Sequence, residues 1–187
     1  MTQTTRSIKT YTALSMDGFV SGPDGRPSHL SLPTYEPGKT HGFREFQAGC
    51  GAVAMGRTTF EPALANPWWP WPDLRVYVLS EHELPEGTPD EVVRVPGGPR
   101  ALVDRLRGDD FDGDAHVVGG PTLIRGLWQR RVIDELGFLI VPLLFGQGSA
   151  LFPLTDAPAQ QRLELVEQHA YPDGALAVRY APAPDSR

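Results

Sequence analysis

The sequence predicts an α/β fold: a mostly parallel central sheet with flanking helices and a C-terminal antiparallel hairpin. Three observations carry this. Short apolar strands alternate with helical patterns from residue 8 to residue 131, the order that builds parallel βαβ units. Beyond residue 132 the chain turns strand-rich and closes on two strand-like runs around a Pro-Asp-Gly turn. Two of the early strands end in glycine immediately before a helix start. With 187 residues the chain can bury about two-thirds of its unfolded surface. It reads as a single domain over 1–187, with its core at about 8–180.

The elements follow in order. IKTYTAL (8–14) alternates and is rich in Ile, Tyr and Thr, a first strand. Residues 15–38, from SMDGFVSG to YEPG, form a long loop broken by Gly-Pro and Asp-Gly pairs; loops of that length in compact domains often carry function. KTHGFREFQA (39–48) is a short helix weakened by Gly42. GAVAM (51–55) is a strand, and GRTTFEPALA (56–65) starts a helix that Thr58 or Thr59 can cap, with Glu61 in its first turn. NPWWPWPD (66–73) is a rigid aromatic loop. RVYVLS (75–80) and EVVRV (91–95) are strands. GPRALVDRLRGD (98–109) is an amphipathic helix carrying Leu102, Val103 and Leu106. AHVVGG (115–120) is a strand, and PTLIRGLWQRR (121–131) is a helix with Pro121 at its first position, where the missing N–H costs nothing. VIDELGFLIVPLLF (132–145) is strand-rich up to Pro142. GQGSALF (146–152) is a glycine loop, RLELVEQHAY (162–171) and ALAVRYA (175–181) form the hairpin, and PAPDSR (182–187) is a frayed tail.

Composition excludes several classes. The net charge is −6, and no basic stripe suited to nucleic acid is present. No apolar run reaches the ~18 residues of a membrane span, and the polar start MTQTTRSIKT lacks a signal-peptide core; the expected location is cytoplasmic. Cys50 is the one cysteine, which rules out an internal disulfide and reads as a small buried hydrophobe. The five histidines show no metal-ligand spacing, no metal is expected, and no G-x-S-x-G nucleophile motif appears.

The residues that can carry chemistry sit at strand ends. Gly119-Gly120 precedes a helix N-terminus, where free N–H groups and a partial positive charge suit phosphate. The same pair also fits a tight turn that needs glycine for positive φ. AMGRTTFE (54–61) repeats the design, with Arg57, Thr58 and Thr59 beside a second helix start. Arginine suits bidentate recognition of phosphate; a surface arginine with a capping threonine is the plainer alternative. At the end of the first strand, Ser15 and Asp17 precede Gly18. Asp17 can orient a polar ring or relay a proton, or it can simply make an Asp-Gly turn. The tryptophans of NPWWPWP suit a stacking wall, a dimer contact or a loop plug.

Taken together, TALSMDGFVSGPDG, AMGRTTFE, YVLS and HVVGGPTLIRGL resemble bacterial reductases similar to the C-terminal domain of the riboflavin-biosynthesis reductase. The resemblance implies the dihydrofolate reductase-like fold and an NADPH-dependent oxidoreductase acting on a small heterocyclic (pterin- or flavin-precursor-like) or imine- or carbonyl-type substrate, with NADH as the open alternative donor. It also implies a homodimer. On this resemblance Gly56, Arg57, Thr58 and Thr59 hold the adenosine-side phosphates, and Ser80 lies near the adenosine ribose phosphate. Gly119, Gly120, Pro121, Thr122 and Leu123 pack against the pyrophosphate. Ala13, Leu14 and the Ser15–Gly18 turn border nicotinamide and substrate, with Asp17 as a catalytic candidate.

The sequence departs from the family in three places. Glu81 follows Ser80 where an arginine is frequent, which sets a carboxylate beside the expected 2′-phosphate. No residue clearly matches the acid on the first helix of dihydrofolate reductases; Glu36 and Glu45 are candidates, Glu36 as a substrate contact. Val118 replaces the glutamate that usually precedes the glycine pair, so the riboflavin precursor is not the expected substrate. No deaminase domain is expected in these residues, because its Cys/His zinc ligands are missing. The rival reading is a non-catalytic nucleotide-binding or regulatory protein on the same fold.

Overall fold

A computed structural model describes residues 6–36, 38–156 and 160–184. Among the described residues ten strands are present: β1 (Ile8–Ser15), β2 (Phe19–Ser21), β3 (Cys50–Gly56), β4 (Arg75–Leu79), β5 (Val92–Val95), β6 (Asp114–Gly119), β7 (Glu135–Val141), β8 (Ser149–Ala150), β9 (Leu163–Ala170) and β10 (Leu176–Pro182). The helices are α1 (Phe43–Ala48), α2 (Arg57–Leu64), α3 (Gly98–Gly108) and α4 (Pro121–Gln129). Eight strands make one sheet in the order β5-β4-β3-β6-β1-β7-β10-β9. Every pair from β5 to β7 is parallel, and β10 pairs antiparallel with β7 and β9. This is the α/β sheet with an antiparallel C-terminal edge that the pattern predicts.

One face of the sheet is covered by α3 and α4. Leu102, Leu106, Ile124, Leu127 and Trp128 pack there against Ile8, Ala52, Ala54, Tyr77, Val117 and Leu136. Each such aliphatic side chain contributes about 1.5–3 kcal/mol on burial. The other face has two smaller clusters. Phe60 and Trp71 cover Val53, Met55, Val76 and Val78; Leu32, Phe43 and Phe46 cover Tyr11, Leu139 and Val141. Gly137 is needed in the second, because a Cβ there would lie 2.8 Å from Cδ2 of Tyr11. Cys50 is buried, and burial pushes its thiol up to about 11, as suits a packing residue.

The structure corrects several local expectations. The helix expected over 39–48 spans only Phe43–Ala48, because Gly42 has φ of 79° and stops it there. The long loop contains β2, which pairs antiparallel with β8 from the glycine loop, and a 3-10 turn over Ser28–Ser31. Pro142 falls just outside β7, which ends at Val141. Pro182 belongs to β10 instead of a frayed tail, and Ala183 N–H donates to the Arg162 carbonyl; residues 185–187 lie outside the described residues. Among the described residues no helix is long and apolar enough to cross a membrane.

Candidate functional site

Parallel strands bring their carboxyl ends to one edge of the sheet, where ligands bind in open α/β folds. At that edge β3 runs into α2 and β6 runs into α4, with Met55 opposite Gly119. The two glycine turns are therefore neighbours. Thr59 lies between them: a Cβ on Gly120 would come within 3.3 Å of its Oγ1, and one on Gly119 within 3.6 Å. The Gly119–Gly120 peptide bond is cis, and Gly119 has φ of 154°. Both helix starts leave backbone N–H groups without intrahelical partners.

The neighbouring side chains are held in place. Arg57 donates from Nε to Glu61 at 2.6 Å and from Nη1 to the Glu83 carbonyl. The N-cap of α2 is Gly56, with no side-chain cap; this corrects the expectation that Thr58 or Thr59 caps the helix. Thr58 is exposed and Thr59 half-buried, so their hydroxyls remain at the edge. Pro121 does stand at the first position of α4, followed by Thr122 and buried Leu123. Ser80, at the end of β4, donates from Oγ to the His82 carbonyl at 2.7 Å. The Glu81 carboxylate accepts from Gly97 N–H at 3.0 Å, which draws it toward the start of α3.

β1 supplies the fourth strand end. It pairs with β6 only from Ile8 to Thr10, while its pairing with β7 continues to Ser15. The β1–β6 ladder thus stops short of the carboxyl edge, where Ala13 and Leu14 lie half-buried. Ser15 is buried and donates from Oγ to Asp17 at 2.6 Å. Asp17 also accepts from Gly146 N–H at 2.7 Å and from Phe145 N–H at 3.1 Å. The Ser15 hydroxyl and these amides hold its carboxyl down to about 2, so at neutral pH it is ionised and has no proton to give. These bonds make Asp17 a clasp between the β1–β2 turn and the loop after β7.

Glu36 lies exposed on the loop before α1, where its carbonyl accepts from Lys39 N–H. Glu45 stands on α1 beside Tyr11, Tyr171 and Arg179. Sequence reasoning did not find the group beside it. Asp173, in the β9–β10 turn, accepts from His41 Nε2 at 2.7 Å and pairs with Lys39 Nζ at 2.6 Å. Lys39 and His41 hold its carboxyl well below the usual carboxylate range. The Tyr11 hydroxyl donates to the His41 carbonyl at 2.5 Å. Residues 41 and 173 have no local sequence relationship, and the acid of a Pro-Asp-Gly turn reads only as a turn residue.

The tryptophan loop divides. Trp71 is buried and Trp69 stands edge-on to both Phe60 and Trp71, whereas Trp68 is 80% exposed. Two of the three rings therefore plug the loop onto the core.

The chain matches the family model described as the RibD C-terminal domain over residues 6–177. Among solved structures it is similar to a putative riboflavin biosynthesis protein from Shewanella sp. PV-4, with 23% identity, TM-score 0.81, and coverage of 95% of this chain and 99% of that one. It is similar to the diaminohydroxyphosphoribosylaminopyrimidine deaminase/5-amino-6-(5-phosphoribosylamino)uracil reductase of Thermotoga maritima, at 14% identity and TM-score 0.69, covering 95% of this chain and 57% of that one. It is also similar to dihydrofolate reductase from Enterococcus faecalis complexed with NADP(H), at 19% identity and TM-score 0.64, covering 94% and 96%. These likenesses show the dihydrofolate reductase-like fold. No curated protein matches the chain in sequence. With the family match running from before β1 into β10, the chain belongs to the RibD C-terminal domain family.

Proposed function

We propose that the chain is a reductase that takes hydride from NADPH to a small heterocyclic, imine-type or carbonyl-type substrate. One observation carries this reading. The expected contact residues end on neighbouring strands in the order β4 (Ser80), β3 (Gly56–Thr59), β6 (Gly119–Leu123) and β1 (Ala13–Ser15). Three inter-strand steps span about 14 Å, the scale of an extended dinucleotide. The paired turns fit such a cofactor, since a Cβ at Gly120 would press on Thr59 Oγ1 and close the approach to the backbone.

In this reading Arg57, Thr58 and Thr59 take the adenosine-side phosphates, and Ser80 takes the ribose phosphate by giving up its bond to His82. Gly119 to Leu123 take the pyrophosphate at the start of α4. Ala13, Leu14 and the Ser15–Gly18 turn border the nicotinamide. NADPH supplies the hydride when bound; the chain supplies binding, orientation and exclusion of water. The proton comes from solvent or a group other than Asp17.

Titrating NADPH and NADH into wild type and Arg57→Ala, followed by tryptophan fluorescence, tests the cofactor assignment. Saturable NADPH binding that weakens tenfold or more in the variant is expected, as for loss of a charged hydrogen bond worth about 1.5–3 kcal/mol. Absence of binding by either nucleotide ends the reductase reading. The ionised Asp17 favours one rival, a nucleotide-binding protein without turnover. Binding of NADPH with no oxidation across pterin, flavin-type and imine substrates would select that rival.

A further inference from the structure

We propose that Glu81 sets the choice of hydride donor. Its carboxylate accepts a ribose hydroxyl of NADH and opposes the 2′-phosphate of NADPH, so the chain takes both dinucleotides and Glu81→Gln narrows it to NADPH. The proposal rests on the reductase reading and adds a specificity residue to it.

The sheet order puts Glu81 where the dinucleotide ends. Along the carboxyl edge the strands run β1, β6, β3, β4, β5, and the cofactor reading uses all but the last. Ser80 follows the end of β4, and its N–H donates to the Val95 carbonyl at 3.1 Å, so the ends of β4 and β5 stay together. Exposed Glu81 comes next. Its carboxylate accepts from the N–H of Gly97, which follows β5 and caps α3. The carboxylate therefore stands at the outer side of Ser80, the residue that takes the adenosine ribose in this reading.

The charges around Ser80 single Glu81 out. Arg57 pairs with Glu61 at 2.6 Å, and Arg94 pairs with Glu83 at 2.8 Å. Each of these cations already answers a carboxylate. Among the described residues Glu81 forms no ion pair; the Gly97 amide at the start of α3 is what holds it, where the helix favours a negative group. A phosphate monoester at Ser80 would bring a charge of about −1.5 to −2 toward that carboxylate, and like charges across a binding surface are costly. A ribose with free hydroxyls offers it donors instead, the pairing that strand-end carboxylates make in other dinucleotide sites. Arg57 and the Ser80 hydroxyl pull the other way, toward the phosphate. Glu81 thus levels the two donors without excluding NADPH.

The test is calorimetric titration of NADPH and NADH into the full chain at low salt, as wild type, Glu81→Gln and Glu81→Asp. Wild type is expected to bind the two dinucleotides within about tenfold of each other. Glu81→Gln should tighten NADPH and weaken NADH, moving their ratio by about tenfold or more. Glu81→Asp, which keeps the charge, should stay near the wild-type ratio. Adenosine 2′,5′-bisphosphate against AMP should follow the same order, and the shift should shrink as salt screens the exposed carboxylate. Loss of the Gly97 bond as a purely structural effect would instead weaken both dinucleotides alike. The proposal is overturned if wild type prefers NADPH by more than about a hundredfold, or if both dinucleotides bind and Glu81→Gln leaves their ratio unmoved; either result leaves the reductase reading standing. Failure of both to bind, in wild type and in Glu81→Gln, ends that reading and this inference with it.

Discussion

His41 Nε2 lies 2.7 Å from Oδ2 of Asp173, and this contact ties the entry of α1 to the turn of the C-terminal hairpin. The Asp173 side chain is 4% exposed and also pairs with Lys39. Asp173→Ala is expected to destabilise the protein by about 1–3 kcal/mol in urea unfolding at neutral pH, since it strips the buried His41 ring and the half-buried Lys39 of their acceptor. The folded carboxyl sits below its ordinary value, so its contribution is present above the unfolded carboxylate range and is lost as pH falls through it. Wild type should therefore lose stability on acidification near pH 4 and below more steeply than Asp173→Asn.

His116 predicts a second acid effect, higher in pH. It is 1% exposed, stands edge-on to Phe43 and Phe46, and neither ring nitrogen has a hydrogen-bond partner. Burial lowers its folded value to about 3, opposed only by the nearby Tyr11 backbone. The unfolded chain takes up a proton below about pH 6.5 while the folded chain refuses it, so stability falls with pH over that window. From pH 7 to pH 5 this residue should cost about 2 kcal/mol. Chemical denaturation across that range should show the loss in wild type and lack it in His116→Leu; parallel slopes would refute the assignment.

The contact of Gly120 with Thr59 makes a coupled pair. Gly120→Ala should destabilise by about 1 kcal/mol, as for mild overpacking, and should weaken NADPH binding by blocking the turn. Thr59→Ala/Gly120→Ala should recover the stability, because the atom lying 3.3 Å from the new Cβ is gone. A double-mutant cycle in thermal unfolding reads the coupling, and additive effects would show that the two turns do not touch.

The tryptophans should separate by burial. Trp71→Ala should cost about 3–5 kcal/mol, the range for emptying a buried aromatic site. Trp68→Ala should stay within about 0.5 kcal/mol, as an exposed position does. Guanidinium unfolding of both variants measures the difference.

Elements with a strong local period were legible in the sequence. The helix at 98–109 appears as Gly98–Gly108 with Leu102, Val103 and Leu106 buried, as the amphipathic pattern implied. That the AMGRTTFE and HVVGGPTL turns share one edge was also implied, because strand-glycine-helix units of a parallel sheet end on the same side; that their strands are neighbours comes from the pairing of β3 with β6. What escaped depends on partners far away in the chain. β2 and β8 have three and two residues, too short for a period, and exist through each other. The helix at 39–48 was drawn too long because its helical spacing hid the left-handed turn that Gly42 makes. Asp17 was read with its neighbours Ser15 and Gly18, and Ser15 is a partner, but Phe145 and Gly146, far along the chain, complete the clasp.

Those distant partners also shape the mouth of the protein. Met16 N–H donates to the Leu143 carbonyl, Leu151 N–H donates to Gly18, and Asp17 grips two amides between them. The segments after β1 and after β7 are thereby stitched at both ends and the middle into one flap. Any opening for ligand exchange must lift them as a unit, and an insertion that lengthens one segment without the other would unpick the seam.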